Sequence, residues 1–238
     1  MTDQPVPLDV LKPLDRPAVR SDGHGRFEVS ASRRLAILRG AVDVFWSKGY
    51  AGATLRLIAI AAGVEKGHLT YYFKTKDDLL FEVVNDLHDQ FAERLASSIA
   101  AGGDPFAVLR RVLRHHVLVA CVQHRQTCVG YDNMRLLTPD RAAVVARKRA
   151  AYERSVLDLV RQCQQSAAGV ADLPPEILSK VVLGVACWTP YWYDPDGKLA
   201  PESLAKMLAD QAVAALFPPP VLAGRDSEPI SLPALRWA

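Results

Sequence analysis

The residues whose chemistry is easiest to read lie between positions 32 and 76. There Arg33, Arg34, Arg39, Lys48, Arg56, Lys66, Lys74 and Lys76 stand against only Asp43 and Glu65, in a chain whose formal net charge is +3. A basic segment on a slightly acidic body is the electrostatic footprint of a polyanion-binding module, although charge alone does not separate nucleic acid from a membrane surface. A second group is aromatic. Trp188, Tyr191 and Trp192 fall at i, i+3 and i+4, one face of a helix. Such a cluster suits a ligand-pocket wall as well as a core or dimer contact. A third group is Cys121, His124 and Cys128, which on a single helix would share one face and could offer three zinc donors. The plainer reading is small buried thiols and a boundary histidine, so no metal or other cofactor is expected.

Several function classes have no residues to carry them. There is no Gly-x-Ser-x-Gly elbow, no phosphate-cradling glycine loop and no His-Glu-x-x-His helix, so the chain is not expected to be an enzyme. No apolar run is long enough to span a bilayer, and the start of the chain lacks the pattern of a secretory signal. Four cysteines without a Cys-x-x-Cys pair fit reduced thiols, and the expected location is the cytoplasm, with no membrane partner.

The elements that position these groups are all helical. Apolar residues recur at helical spacing and almost nothing alternates with period two, which predicts an all-α chain of about nine helices. Pro105, Pro139, Pro175 and Pro201 each open a helical pattern. Thr75 and Asp78 have the spacing of a capping box, which explains Asp77 and Asp78 without acid–base chemistry. Residues 1–31, with four prolines, read as a flexible arm, 32–78 as the basic unit, 79–217 as a second helical domain and 218–238 as a Pro-rich tail.

Within the basic unit a first helix from about Ser32 to Ser47 should turn Leu35, Leu38, Val42, Phe45 and Trp46 inward and stop at Gly49. Thr54 then caps a short helix whose Ile58, Ala61 and Ala62 face the core. Gly63 supplies a tight turn, and a further helix runs from Glu65 to Phe73. This is the layout of a helix-turn-helix unit, whose second helix enters the major groove.

The string from Thr54 to Leu80, with Ile58-Ala59, Ala62-Gly63-Val64, Gly67, Leu69, Phe73 and Lys76 at their spacings, resembles the DNA-binding signature of the TetR family of transcriptional regulators. The resemblance implies a homodimer on a palindromic double-stranded operator, acting as a repressor that a small-molecule effector releases. By the same resemblance Thr54, Tyr72 and Lys76 hold phosphates, and Lys66, His68 and Tyr71 face base edges. Arg56 reaches a base or a phosphate, and Arg33 and Arg34 reach the adjacent groove. Thr70 stands where the family usually has an aromatic, and it can bond a phosphate at shorter reach. Leu57 and Ile60 replace usual polar residues.

The last two helices should pair with their symmetry mates through the Leu204/Leu208 stripe. The segment around Trp188, Trp192-Tyr193 and Pro195-Gly197 resembles the TetR subgroup that senses acyl-CoA thioesters in lipid and steroid catabolism. Trp188 and Trp192 match it, whereas Tyr191 stands where the subgroup commonly has an arginine. The expected ligand residues are Trp188, Tyr191 and Trp192 from the aromatic face, with Arg135, Arg147 or Lys148 replacing the missing anion anchor. Two other readings stay open: an aromatic cage for a cationic ligand, or another small aromatic effector, and a ligand-independent architectural DNA binder.

Overall fold

The computed structural model describes residues 26–166 and 173–214, and every element among them is helical. In order they are α1 (Arg26–Gly52), α2 (Leu55–Ala61), α3 (Lys66–Tyr72), α4 (Lys76–Ala100), α5 (Pro105–Val122), α6 (His124–Asn133), a 3-10 turn (Met134–Leu136), α7 (Pro139–Ser166), α8 (Pro175–Trp192) and α9 (Pro201–Ala214). The tail from 218 and the arm up to residue 25 lie outside the described residues.

Local chemistry sets the helix ends. Thr54 Oγ1 accepts the Leu57 amide at 3.2 Å and starts α2. Asp104 accepts the amides of Phe106 and Ala107, with Pro105 in the first turn of α5. At α4 the capping box is complete: Thr75 Oγ1 accepts the Asp78 amide at 3.1 Å, and Asp78 accepts the Thr75 amide at 2.8 Å. Gly49, at φ +67°, breaks α1 near its end, and Gly63, at φ +64°, makes the turn between α2 and α3.

One core joins α1, α2 and α3 to the first half of α4, with Ile37, Phe45, Ile58, Leu69 and Leu80 at its centre, and it continues into Val129 of α6 and Val145 of α7. Two further cores surround α5, where 11 of 18 residues are buried, so this helix is enclosed on nearly every side by α4, α7, α8 and α9. Ion pairs cross between elements: Arg34 (α1) with Glu82 (α4), Arg141 (α7) with Asp78 (α4), and Arg125 (α6) with Asp43 (α1).

Several sequence expectations change. Helix α1 begins at Arg26, so the last six residues assigned to the arm are helical. Trp46 is 45% exposed, resting edge-on against His124, while Ile37 and Ala41 fill the core from the neighbouring face. In α2 it is Ala59 that is buried with Ile58, not Ala61. Gln123, at φ −101° and ψ 37°, separates α5 from α6, so Cys121 does not share a helix with His124 and Cys128. Leu204 is 3% exposed and Leu208 half-buried, both packed in the third core beside Leu118 and Ala205. Their stripe is therefore spent inside the subunit, and the apolar residues left on the outside are Ile177, Val181, Trp188 and Trp192 of α8 and Met207 of α9.

Two stability predictions follow from this packing. A Cβ on Gly40 would stand 2.8 Å from the Ala62 backbone nitrogen and 3.0 Å from its Cβ. Gly40→Ala should therefore cost about 1–3 kcal/mol through overpacking of α1 on α2, seen as a lower thermal midpoint. The Arg141 guanidinium beside Asp78, helped by the Thr75 hydrogen bonds, holds its carboxyl below the ordinary 3.8. A depressed folded-state value adds stability above about pH 4, and this is lost as pH falls through the depressed value. Arg141→Ala should lower stability by about 0.5–1 kcal/mol at pH 7, and the gap to wild type should narrow below pH 4 in denaturant titrations.

Candidate functional site

The helix-turn-helix geometry is set by the buried side chains Ile58 and Ala59 on α2 and Leu69 on α3. Ile58 of α2 and Leu69 of α3 are both fully buried, which turns the opposite face of α3 outward. Lys66, Gly67, His68 and Tyr71 are exposed there, Tyr71 at 77%. A Cβ on Gly67 would meet nothing within 4 Å, so this position faces open space. Arg33, Thr54 and Arg56 are also exposed.

The other four residues expected at DNA are partly engaged within the protein. Tyr72 is half-buried against the first core, its ring edge-on to Tyr71 at 5.3 Å. Thr70 donates its hydroxyl to the Gly67 carbonyl at 3.0 Å. Arg34 pairs with Glu82 and lies over the Phe73 ring. Lys76 is the most engaged of the four. Its ammonium donates to the Tyr50 carbonyl at 3.0 Å and sits 4.4 Å from the Tyr50 ring centroid, which satisfies the frayed end of α1. Its first role is to hold α4 against α1. Leu57 and Ile60 remain exposed, at 39% and 67%.

A second site lies in the helical domain. A cavity of about 590 Å³ opens between α4, α5, α6, α7 and α8, within the usual size of small-molecule sites. Its inner wall holds His88, Phe91, His116 and Leu183, all buried. Tyr131, Tyr152 and Cys187 complete the interior, and Lys148, Arg149, Glu153, Lys180, Trp188 and Tyr191 form the rim. Lys148 pairs with Asp89, and Lys180 donates to Glu153 at 2.6 Å. Burial pushes His116 down to about 3 and raises the Tyr131, Tyr152 and Cys187 groups, so the interior is uncharged at neutral pH.

Of the residues assigned to a ligand from sequence, Trp188 and Tyr191 line this cavity, with ring centroids 5.0 Å apart. Trp192 and Arg135 are exposed and do not line it, and neither does Arg147. Trp192 lies one step further round α8, and Arg135 sits on the 3-10 turn beyond the cavity's Met134. The basic groups that do line it are Lys148, Arg149 and Lys180. His116 was the interior residue with a readable signal: a histidine in an otherwise apolar face of α5, in step with Leu109, Val112 and Val119. Among the described residues no group of three or more His, Cys, Asp or Glu is placed to hold a metal ion. His124 instead contacts the Pro190 carbonyl through Nε2 at 2.9 Å. No helix of the described residues is long and apolar enough to cross a membrane.

Comparison with known proteins follows the same division. Residues 37–83 match the family model "Bacterial regulatory proteins, tetR family", and residues 102–216 match "Tetracyclin repressor-like, C-terminal domain". The HTH-type transcriptional repressor KstR2 of Rhodococcus jostii is 21% identical over 177 residues, 74% of this chain and 87% of that protein. A structure of AibR in complex with isovaleryl coenzyme A and operator DNA is 27% identical, covers 79% of this chain and 99% of its own, and superposes with a TM-score of 0.67. The ketosteroid transcriptional regulator KstR2 of Mycobacterium tuberculosis, 20% identical over 78% of this chain and 95% of its own, shares the fold with a TM-score of 0.71.

The exposed face of α3 gives a separable prediction. Lys66→Ala or His68→Ala should cost about 1–3 kcal/mol on a specific site and blur discrimination between sequences. Arg56→Ala, if its guanidinium meets phosphate, should weaken binding to all duplexes alike and reduce the salt slope by about one. Polarisation titrations on selected and scrambled duplexes at several salt concentrations separate the two patterns.

Proposed function

The chain belongs to the TetR family of bacterial transcriptional regulators, and on that premise we propose that it is a dimeric repressor released from a palindromic operator by an acyl thioester, such as an acyl-CoA. The observation that carries the effector class is the charge layout of the cavity. Lys148, Arg149 and Lys180 stand at its rim against two carboxylates, Glu153 and the Asp89 that pairs with Lys148, above an interior of neutral and apolar side chains. An acyl body fits the interior, while the phosphates of its carrier meet the cationic rim. The similarity to AibR, whose structure holds isovaleryl coenzyme A and operator DNA, supports the same class.

The cationic alternative is disfavoured by that rim and by ring geometry. Trp188 and Tyr191 are tilted only 33° to each other at 5.0 Å, so they cover one another and do not open around an ammonium group. An architectural DNA binder would have no use for a cavity of about 590 Å³. For the dimer, the exposed residues Ile177, Val181 and Trp192 of α8 and Met207 of α9 offer the apolar surface that a two-fold contact would cover.

The test is a polarisation assay on DNA from the protein's own upstream region, titrated with acyl-CoA thioesters and, in parallel, with quaternary ammonium compounds. Release by a thioester and not by the cations is expected, and the double variant Arg149→Ala/Lys180→Ala should need at least tenfold more thioester. Release by the cations alone, or thioester release untouched by the double variant, overturns the effector assignment.

A further inference from the structure

The cavity interior is not a uniform apolar surface. His116 lies flat against Phe91, with ring centroids 4.2 Å apart and planes 13° from parallel, so its two nitrogens point in fixed directions. Nδ1 stands 3.0 Å from Tyr152 Oη, an ordinary hydrogen bond. Nε2 is served less well. Tyr131 Oη is 3.5 Å away and Cys187 Sγ 3.8 Å away, both at the outer limit for their atom types. Three polar heads from α5, α6 and α8 thus converge on one spot, all lining the cavity; Tyr131 and Cys187 are hydrogen-bonded to each other, and both reach His116 only at long range.

Close by, His88 directs Nδ1 at the Val84 carbonyl, 2.8 Å away. A carbonyl only accepts, so Nδ1 carries the proton and Nε2 of the neutral ring is an acceptor. His88 also lines the cavity, and its ring is edge-on to Phe91. The inner end of the cavity therefore presents donors and acceptors, but no charge.

A purely saturated acyl body would strip water from these groups and return no hydrogen bond, at a cost for each buried group left unmet. A ligand oxygen seated among Tyr131, His116 and Cys187 would accept the phenolic proton and shorten contacts that the protein leaves long. We infer that the effector carries a neutral oxygen, a ketone or a hydroxyl, at the buried end of its acyl group, and that Tyr131, His116 and Cys187 are the residues that read it. This rests on the thioester reading of the same cavity. It excludes a second carboxylate at that end, because no cation lines the interior to balance it.

The experiment uses the full chain on its operator and a matched set of thioesters: cyclohexanecarboxyl-CoA, its 4-oxo and 4-hydroxy derivatives, and straight saturated acyl-CoAs of four to sixteen carbons. The ratio of half-release concentrations between the saturated ring and its oxygenated partner is measured for each variant, which cancels differences in operator affinity. We expect the 4-oxo or 4-hydroxy compound to act at least tenfold lower than the saturated ring, and Tyr131→Phe to bring that ratio towards one. Cys187→Ala provides the same reading should Tyr131→Phe fold poorly. Equal potency of saturated and oxygenated rings in the wild type overturns the inference and leaves the thioester reading standing, as does an unchanged ratio in both variants. No release by any member, straight chains included, overturns the thioester reading itself and this inference with it.

Discussion

One carboxylate, that of Asp78, ties the DNA-binding unit to the domain behind it. It accepts the Thr75 amide, closing the capping box that starts α4, and it pairs with Arg141 of α7. The same turn receives Tyr50 on Asp77 and places Lys76 on the carbonyls that end α1. The start of α4 is therefore fixed from two sides, by α1 in front and by α7 behind. From there the helix runs unbroken to Ala100. Its first half closes the core of the helix-turn-helix, and its second half supplies His88 and Phe91 to the cavity wall. Asp78 and Phe91 are 13 residues apart, about 20 Å along the axis at 1.5 Å per residue. A helix of that length moves as a rod, so the cavity and the recognition helix share a rigid part.

Electrostatics divides the cavity as firmly as its shape does. Burial keeps His116 and His88 neutral and the phenols and thiol protonated. At the rim, Lys148 is held by Asp89, Asn85 standing beside it, and Lys180 by Glu153. Those carboxylates hold the two long side chains in place along the cavity lining. An anionic group arriving there competes with side chains that are already positioned, which lowers the ordering entropy it must meet. On the proposed thioester reading, the interior would select by hydrogen bonding and the rim by charge.

Much of the architecture was legible because its signals are local. Proline at positions 105, 139, 175 and 201 opens four helices, and the Thr75–Asp78 box opens another. Gly49 and Gly63 mark two of the turns at which φ is positive, and Gly102-Gly103 mark a third, between α4 and α5. What the sequence did not reveal depends on which neighbour a face meets. Leu204 sits on an apolar stripe that serves a dimer contact and an internal core equally well, and the packing of α5 against α9 decides for the core. The break at Gln123 carries neither glycine nor proline, so the Cys121–His124–Cys128 face looked continuous. The cavity was the least legible feature, because His88, His116, Tyr131, Tyr152 and Cys187 come from five different helices. The α8 aromatics were its main signal, and two of the three, Trp188 and Tyr191, do line it, as does Lys148; His116 on the apolar face of α5 was a readable sign as well.

The C-terminal end of α8 adds a second line of contact towards the DNA-binding unit. The helix stops at Trp192, so the Pro190 carbonyl lies in the last turn, where no later amide of the helix reaches it. His124 of α6 supplies the missing partner at 2.9 Å, and the same imidazole meets the edge of Trp46 on α1 at 5.5 Å. Beside it Arg125 reaches Asp43, again from α6 to α1. The residue after Pro190 is Tyr191, which forms cavity rim and donates to Asp132 of α6. A ligand that shifts the spacing of α4 and α8 thus strains two junctions with α1, one through the α4 rod and one through α6. Linkage then works in both directions: whatever spacing of α1 and α3 an operator prefers must bias the cavity by the same free energy with which the ligand biases the operator contact. Both junctions share one apolar core, with the hydrogen bonds and ion pairs lying at its edge, so a change of spacing means repacking between two discrete arrangements and not a gradual slide.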